Sequence, residues 1–251
     1  MDREVLDQKE LTRYNRQIRM PEIGEEGQKR LGRSHVLIAG VGGLGCASAT
    51  YLTAAGVGKI TLIDFDRVEL SNLNRQVLYW EEDIGEKKVL VAQEKLSRLN
   101  SGTEIIPIFA RITESNVFSF IEGAEVVLDG LDDSATRLLV NAACVKHGIP
   151  YIHGGVSCFR GLITTIIPGK TPCLACFYPE GSQEERGLGV FGLIPAVIAS
   201  LQTLEAIKLI IGQSPSLAGK LLRFNGNDMK FRMDDLQRNE GCKVCSPESF
   251  K

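Results

Sequence analysis

"RSHVLIAGVGGLGCASATYLTAAGVGKITLIDFD", residues 33–66, decides the fold class. An apolar run enters a glycine cluster, an alanine-rich segment follows, and a second apolar run ends at Asp64. That is the order of a strand, a phosphate-binding turn, a helix and a second strand with an acidic end. Gly40, Gly42 and Gly45 satisfy G-x-G-x-x-G, and Gly43 removes still more bulk where a phosphate would sit. Such a turn brings backbone N–H groups up to phosphate oxygens at a helix N-terminus. Asp64 stands where a carboxylate accepts ribose hydroxyls. A nucleotide is implied, but the turn alone does not separate NAD from ATP.

Outward from this unit, strand-like runs recur at 35–39, 59–63, 104–109, 125–128 and 150–153, with helical patterns at about 44–56, 86–99, 113–122 and 133–147. The alternation predicts an α/β fold, a Rossmann-like doubly wound and mostly parallel sheet. Upstream, residues 8–32 are expected to be helical in two pieces separated around Pro21. Beyond 155 the pattern changes to a strand at 158–168, a mobile polar loop at 181–189, a long helix at 193–211 and a hairpin over 220–235. With no repeat or linker in view, residues 1–251 are taken as one domain. Its parts are N-terminal helices over 1–33, a nucleotide-binding half over 34–155 and a second half, 156–251, that extends the sheet with antiparallel strands.

Bulk composition excludes several function classes. A chain of 251 residues with 43% hydrophobic content can fill a sizeable core. Twenty-nine basic against thirty-one acidic residues leave a formal charge of −2, so no global field favours nucleic acid or anionic lipid. The charged N-terminus "MDREVLDQKE" does not read as a secretory signal, and the apolar stretch 190–211 carries Gln202, Glu205 and Lys208 and reads as a buried helix. A cytoplasmic location with no membrane span is expected.

The segment "DFDRVELSNLNRQ", 64–76, follows at the carboxyl end of the second strand, where ligands bind in open α/β sheets. Asn72, Arg75 and Gln76 make a dense donor set there, and a dehydrogenase has little use for the extra cation. Lys88 opens the next helix, where the macrodipole disfavours a cation. A bound anion would relieve that conflict, and a solvated lysine is an equal alternative on the residues alone. The run "LDGLDD" at 128–133 puts Asp132 at the same sheet edge, suited to Mg²⁺ bridged to phosphates, and leaves Asp133 to cap the following helix. Cys173 and Cys176, with Cys242 and Cys245, form two C-x-x-C pairs, the spacing of a closed and therefore structural tetrathiolate zinc site. Cys46, Cys144 and Cys158 have no paired spacing and are expected to be buried and inert.

Taken together, "RYNRQI" at 13–18, "GVGGLG" at 40–45, "DFDRVELSNLNRQ", Lys88, "LDGLDD" and the cysteine quartet resemble the MoeB, ThiF and HesA family, ubiquitin-activating-enzyme-like adenylyltransferases of molybdopterin and thiamine biosynthesis. The resemblance runs from about residue 8 to 246. It implies an enzyme that uses ATP to adenylate the C-terminal glycine of a small ubiquitin-like sulfur-carrier protein (MoaD-like or ThiS-like) ending in Gly-Gly, releasing pyrophosphate on the way to a thiocarboxylate. Position by position it implies that residues 40–45 approach the phosphates and Asp64 binds the ribose. Asn72, Arg75, Gln76 and Lys88 would hold the triphosphate and Asp132 Mg²⁺, while Arg16 crosses a homodimer interface into the neighbouring site. The half over 156–251 would bind the carrier. Several members carry a cysteine in the loop before the long helix; here "EERGLGVFGLIP", 184–195, has none, so no covalent step through that loop is expected. A separate protein would donate sulfur. The competing reading, a Rossmann-type NAD-dependent oxidoreductase, explains the glycine turn and Asp64 but leaves Arg16, Arg75, Lys88 and Asp132 without a task.

Overall fold

A computed structural model describes residues 5–178 and 189–246. The chain opens with α1 (Gln8–Arg13), α2 (Asn15–Ile18) and α3 (Gly24–Arg33). The expected break around Pro21 is present, and a further break falls at Tyr14. Its ring turns inward to 4% exposure, and its hydroxyl accepts from Asn100 Nδ2 at 2.8 Å. This tertiary bond interrupts an otherwise helical stretch.

Strands and helices then alternate: β1 (His35–Ala39), α4 (Gly43–Ala55), β2 (Lys59–Asp64), α5 (Lys88–Leu99), β3 (Glu104–Phe109), α6 (Val117–Ile121), β4 (Val126–Asp129), α7 (Ser134–His147) and β5 (Tyr151–Ser157). The helix expected over 113–122 is shorter because Asn116 Oδ1 accepts from Thr113 N at 2.8 Å and turns 113–116 out of it. Next come β6 (Arg160–Ile166), α8 (Leu174–Phe177), α9 (Leu193–Ile210), β7 (Lys220–Asn225) and β8 (Lys230–Asp235). Of the polar loop expected over 181–189, only Gly189 lies among the described residues.

Among the described residues all strands join one eight-stranded sheet in the order β3-β2-β1-β4-β5-β6-β7-β8. The first five pair in parallel, and β6, β7 and β8 add antiparallel strands beyond β5. The notional division at 155/156 therefore falls inside β5, and hydrogen bonding runs across it. Within β1, Val36 and Ile38 face one core with α4, α5 and α9, while Leu37 and Ala39 face the other with α6, α7 and α8. A strand buried on both faces needs this continuous apolar run rather than alternation. Because the chain leaves β1 toward β2 on one side and β4 lies on the other, the strand order reverses there, and the carboxyl ends of β1 and β4 flank a crevice.

By length and composition α9, at 18 residues, could cross a membrane. Its apolarity is spent on α4 and the sheet instead. Its polar residues are bonded inward: Gln202 Nε2 donates to the carbonyls of Asp129 and Ile152 at 2.9 and 3.0 Å. Glu205 accepts from Thr165 Oγ1, Leu217 N, Ser216 N and Lys208 Nζ at 2.8–3.0 Å.

Candidate nucleotide site and cysteine centre

Gly40 leaves β1 at φ +87°, and a Cβ on it would lie 2.5 Å from the Gly130 carbonyl oxygen. A Cβ on Gly45 would meet the Gly40 carbonyl oxygen at 2.0 Å. Both positions are glycine because backbone passes against backbone. Gly42 and Gly43 differ. A Cβ at Gly42 would meet Gln76 Nε2 and the Gly130 carbonyl oxygen at an ordinary 3.8 Å, and one at Gly43 would meet the side chains of Pro195 and Arg75, at 3.2 and 3.6 Å. The protein's own packing does not demand glycine at Gly42, so close approach of a ligand is the remaining reason for one there. Gly42 also caps α4 without a side chain, and no acid follows in the first turn. The first N–H groups of a 13-residue helix are left to point into the crevice.

The neighbours of this turn are held to it by hydrogen bonds. Gly40 N donates to Ile63 O at 2.8 Å and Gly130 N to Ala39 O at 2.7 Å, which sets the ends of β1, β2 and β4 side by side. Asp64 accepts from Val41 N at 2.7 Å and from Asp66 N at 2.8 Å. Burial pushes its carboxyl above the ordinary carboxylate range, against those N–H bonds and the Lys88 charge, which pull the other way. Each of its oxygens retains a lone pair for a further donor.

Lys88 is buried, 4% exposed, with Nζ 3.1 Å from Asp66 Oδ2. The solvated alternative is thereby corrected: the cation at the helix start is fixed by Asp66, a residue sequence reasoning passed over although it stands two positions after Asp64. Tyr79, also unforeseen, donates its hydroxyl to Val41 O at 2.9 Å and pins the 70–79 segment to the glycine turn. Nothing local marks that tyrosine. In this segment Asn72 and Gln76 are buried; the Gln76 amide nitrogen lies 3.8 Å from the Cβ position of Gly42, and Arg75 Cγ lies 3.6 Å from that of Gly43. Arg75 Nη1 donates to Ser71 O and Asn74 Oδ1 at 2.9 and 3.1 Å.

The acidic run after β4 divides as the sequence predicts at one position. Asp133 caps α7, accepting from the N–H groups of Ala135 and Thr136 at 3.1–3.3 Å. Asp129 is 1% exposed and turned inward. Its Oδ2 lies 3.2 Å from Arg137 Nε and 2.5 Å from His153 Nδ1. Burial raises the Asp129 carboxyl, but Arg137 and His153 outweigh burial and leave it below the usual carboxylate range. Asp132 is exposed and makes no hydrogen bond or ion pair among the described residues. One free carboxylate beside a helix N-terminus suits Mg²⁺, which takes few protein oxygens and keeps the rest of its shell for water and phosphate.

Arg16 is not brought into this crevice. It is exposed on α2, and its neighbour Gln17 donates to Ala55 O at 3.0 Å, at the C-terminal end of α4. A helix of that length spans about 20 Å, far beyond an arginine's reach.

The cysteine quartet does assemble. The sulfurs of Cys173, Cys176, Cys242 and Cys245 lie within 4.8 Å of one another, with Cys173–Cys242 at 3.7 Å and Cys176–Cys245 at 3.4 Å. Sulfurs at about 2.3 Å from a tetrahedral zinc stand about 3.8 Å apart, and a disulfide needs about 2.05 Å. The arrangement fits Zn²⁺ and leaves it no open position. Leu174 N donates to Asn141 Oδ1 at 2.9 Å and Arg238 Nη2 to Thr171 O at 2.9 Å, docking the centre on α7 and on the chain after β6. Cys46 and Cys144 are buried, and burial pushes both thiols up, Cys46 to about 12. Cys158 corrects the expectation: it is exposed, at φ +51° in the turn between β5 and β6.

Residues 14–244 match the ThiF family model. Among similar proteins, the sulfur carrier protein adenylyltransferase of Thermus thermophilus is 41% identical over 249 residues, spanning 95% of this chain and 92% of that protein. The SAMP-activating enzyme E1 of Haloferax volcanii is 39% identical over 245 residues, spanning 96% and 90%. Among solved structures, E. coli MccB with ATP superimposes with a TM-score of 0.81 at 28% identity, over 88% of this chain and 69% of that one.

Proposed function

Starting from the fact that this chain belongs to the ThiF family, we propose that it is an ATP-using adenylyltransferase acting on the C-terminal glycine carboxylate of a ubiquitin-like sulfur-carrier protein, MoaD-like or ThiS-like. The observation that carries the reading is the uncapped N-terminus of α4, with Arg75 beside Gly43 and Asp64 bonded to Val41 N; Lys88 and Asp132 are read as belonging to the same site, the one paired with Asp66 just after β2 and the other exposed in the loop after β4. NAD chemistry would leave three of those four side chains unused. The names of the relatives, one an adenylyltransferase of a sulfur carrier and one an E1 enzyme, support the carrier as the second substrate.

In the proposed reaction a carrier carboxylate oxygen bonds to the α-phosphorus of ATP, the bond from that phosphorus to the bridging oxygen breaks, and pyrophosphate leaves with the electron pair. Two anions must be brought together, so positioning and charge neutralisation are most of the work. The N–H groups at the start of α4 hold the phosphates. Asp64 accepts from the ribose hydroxyls with its remaining lone pairs, and Asn72 and Gln76 line the crevice beside Gly42. Arg75 and Lys88 supply positive charge, with Lys88 kept in place by Asp66. Asp132 would hold Mg²⁺, whose contribution when bound is to neutralise charge on the phosphates. Arg16 acts from the partner of a homodimer, and a separate protein delivers sulfur to the adenylate.

Two measurements test this. Saturating ATP with Mg²⁺, at about 100 times its dissociation constant, is expected to raise the melting temperature by about 5–10 °C, and NAD to leave it unchanged. Carrier-dependent exchange of pyrophosphate into ATP is expected with a small protein ending in Gly-Gly and not with one lacking that tail. Protection by NAD instead of ATP would overturn the reading.

Asp64→Ala separates binding from scaffolding. The substitution removes a ribose acceptor and orphans the N–H groups of Val41 and Asp66, both bonded to that carboxylate. The expected outcome is a half-saturating ATP concentration raised about 10-fold or more, together with about 1–3 kcal/mol of lost stability. An unchanged ATP requirement in a protein that melts earlier would leave Asp64 a scaffold residue only.

A further inference from the structure

Asp132 lies in the short loop that joins β4 to α7, and the backbone on each side of it is fixed. After it, Asp133 caps α7 through the N–H groups of Ala135 and Thr136. Before it, Leu131 is gripped at both polar atoms: its N–H donates to Asp129 Oδ1 at 3.0 Å and its carbonyl accepts from Arg137 Nη2 at 2.5 Å. The two grips are one unit, because Arg137 Nε lies 3.2 Å from Asp129 Oδ2. Asp129 is itself immobilised by His153 Nδ1 at 2.5 Å and, through its carbonyl, by Gln202 Nε2 of α9 at 2.9 Å. Arg137 and Asp129 are 6% and 1% exposed.

A buried ion pair is a poor source of stability, since the desolvation of both charges roughly cancels their attraction. Besides the bond from His153, this one sends hydrogen bonds to both peptide groups of the residue preceding Asp132. Its effect is geometric. We propose that Arg137, bridging Asp129 and the Leu131 carbonyl, is a positioning residue that holds the Asp132 carboxylate where it meets the metal–nucleotide complex. The inference rests on the reading of Asp132 as the Mg²⁺ ligand and adds the residues that aim it. Groups that orient a metal ligand typically contribute 10–100-fold in metal affinity or activity.

The test uses Arg137→Lys, which keeps a cation for Asp129 but has no planar fork to span carboxylate and carbonyl together. ATP binding is measured by calorimetry with EDTA and again with Mg²⁺, and the Mg²⁺ concentration for half-maximal carrier-dependent exchange is measured alongside. Relative to wild type, Arg137→Lys should bind ATP within about 2-fold in EDTA, lose most of the tightening that Mg²⁺ confers, and need about 10-fold more Mg²⁺. A purely structural arginine would lower the melting temperature and leave the Mg²⁺ dependence alone, which overturns the proposal. Asp132→Asn is run beside it. If Asp132→Asn raises the Mg²⁺ requirement while Arg137→Lys does not, the positioning role fails and the metal reading stands; if neither raises it, the metal reading fails and the proposal with it. Should Arg137→Lys not fold, Asp129→Asn carries the same comparison, since it keeps the shape of the carboxyl and its bond from Leu131 N.

Discussion

Mixing Arg16→Ala with Asp132→Ala protein, under conditions that exchange subunits, is expected to restore about a quarter of the wild-type exchange activity, although each variant alone should fall by about 10³-fold or more. Random exchange puts half of the subunit pairs in the mixed state. Each mixed dimer then has one site with both residues and one with neither. The expectation rests on the proposed homodimer and on the distance between the two ends of α4. Gln17 and Gln28 bond the carbonyl of Ala55, and Tyr14 packs by Gly56, so α2 is tied to the end of α4 opposite the glycine turn. Arg16 therefore has no route to its own chain's crevice, and its exposed side chain is free to enter a neighbour's. In the proposed arrangement an arginine arriving there would meet the charge developing on the phosphates as an arginine finger does. If mixed dimers form and no activity returns, Arg16 does not act across the interface.

Removing zinc is expected to lower stability by about 5 kcal/mol or more, which for a chain of this size is a fall of about 10–20 °C in melting temperature. Metal analysis should find one zinc per chain, and Cys242→Ser should reproduce the effect of a strong chelator. The size of the effect follows from where the sulfurs sit. Cys173, Cys242 and Cys245 belong to the apolar cluster on the α7 face of the sheet, and Cys176 packs against it. Four thiols without the ion would leave that cluster poorly filled and remove one of the ties of the segment after β8, which Leu236 N, donating to Gly219 O, and Arg238 also hold. Exchange activity should persist below the lowered melting point, since the quartet contributes nothing to the crevice. Zinc-free protein that melts like the wild type would remove the structural role.

The parallel strands, the glycine turn and the cysteine quartet were legible because their signals are local: apolar runs, a fixed glycine spacing, paired C-x-x-C knuckles. Asp133 was legible as a cap for the same reason, lying directly before its helix. What escaped depends on partners distant in sequence. Lys88 looks like an exposed cation until Asp66 is placed 3.1 Å away. Tyr79 is an unremarkable aromatic until its hydroxyl meets Val41 O, 38 positions earlier. Asp132 is singled out within "LDGLDD", but nothing local says what Asp129 does; Arg137 and His153 bond it in the interior while Asp132 faces solvent. The exposure of Cys158 follows from its place in a tight turn, which hydrophobicity does not encode.

Strand β5 has a consequence for how far this protein can be dissected. It accepts a parallel neighbour on one edge, β4, and an antiparallel one on the other, β6. A chain cut there would present two raw edges, each a template for unwanted pairing. The nucleotide-binding strands would also lose α9, which packs on α4 and reaches down to bond the carbonyls of Asp129 and Ile152. The ATP-binding half and the half beyond it are thus not modules that exchange freely. They are expected to unfold together, and a fragment ending at residue 155 to precipitate rather than serve as a minimal nucleotide-binding unit.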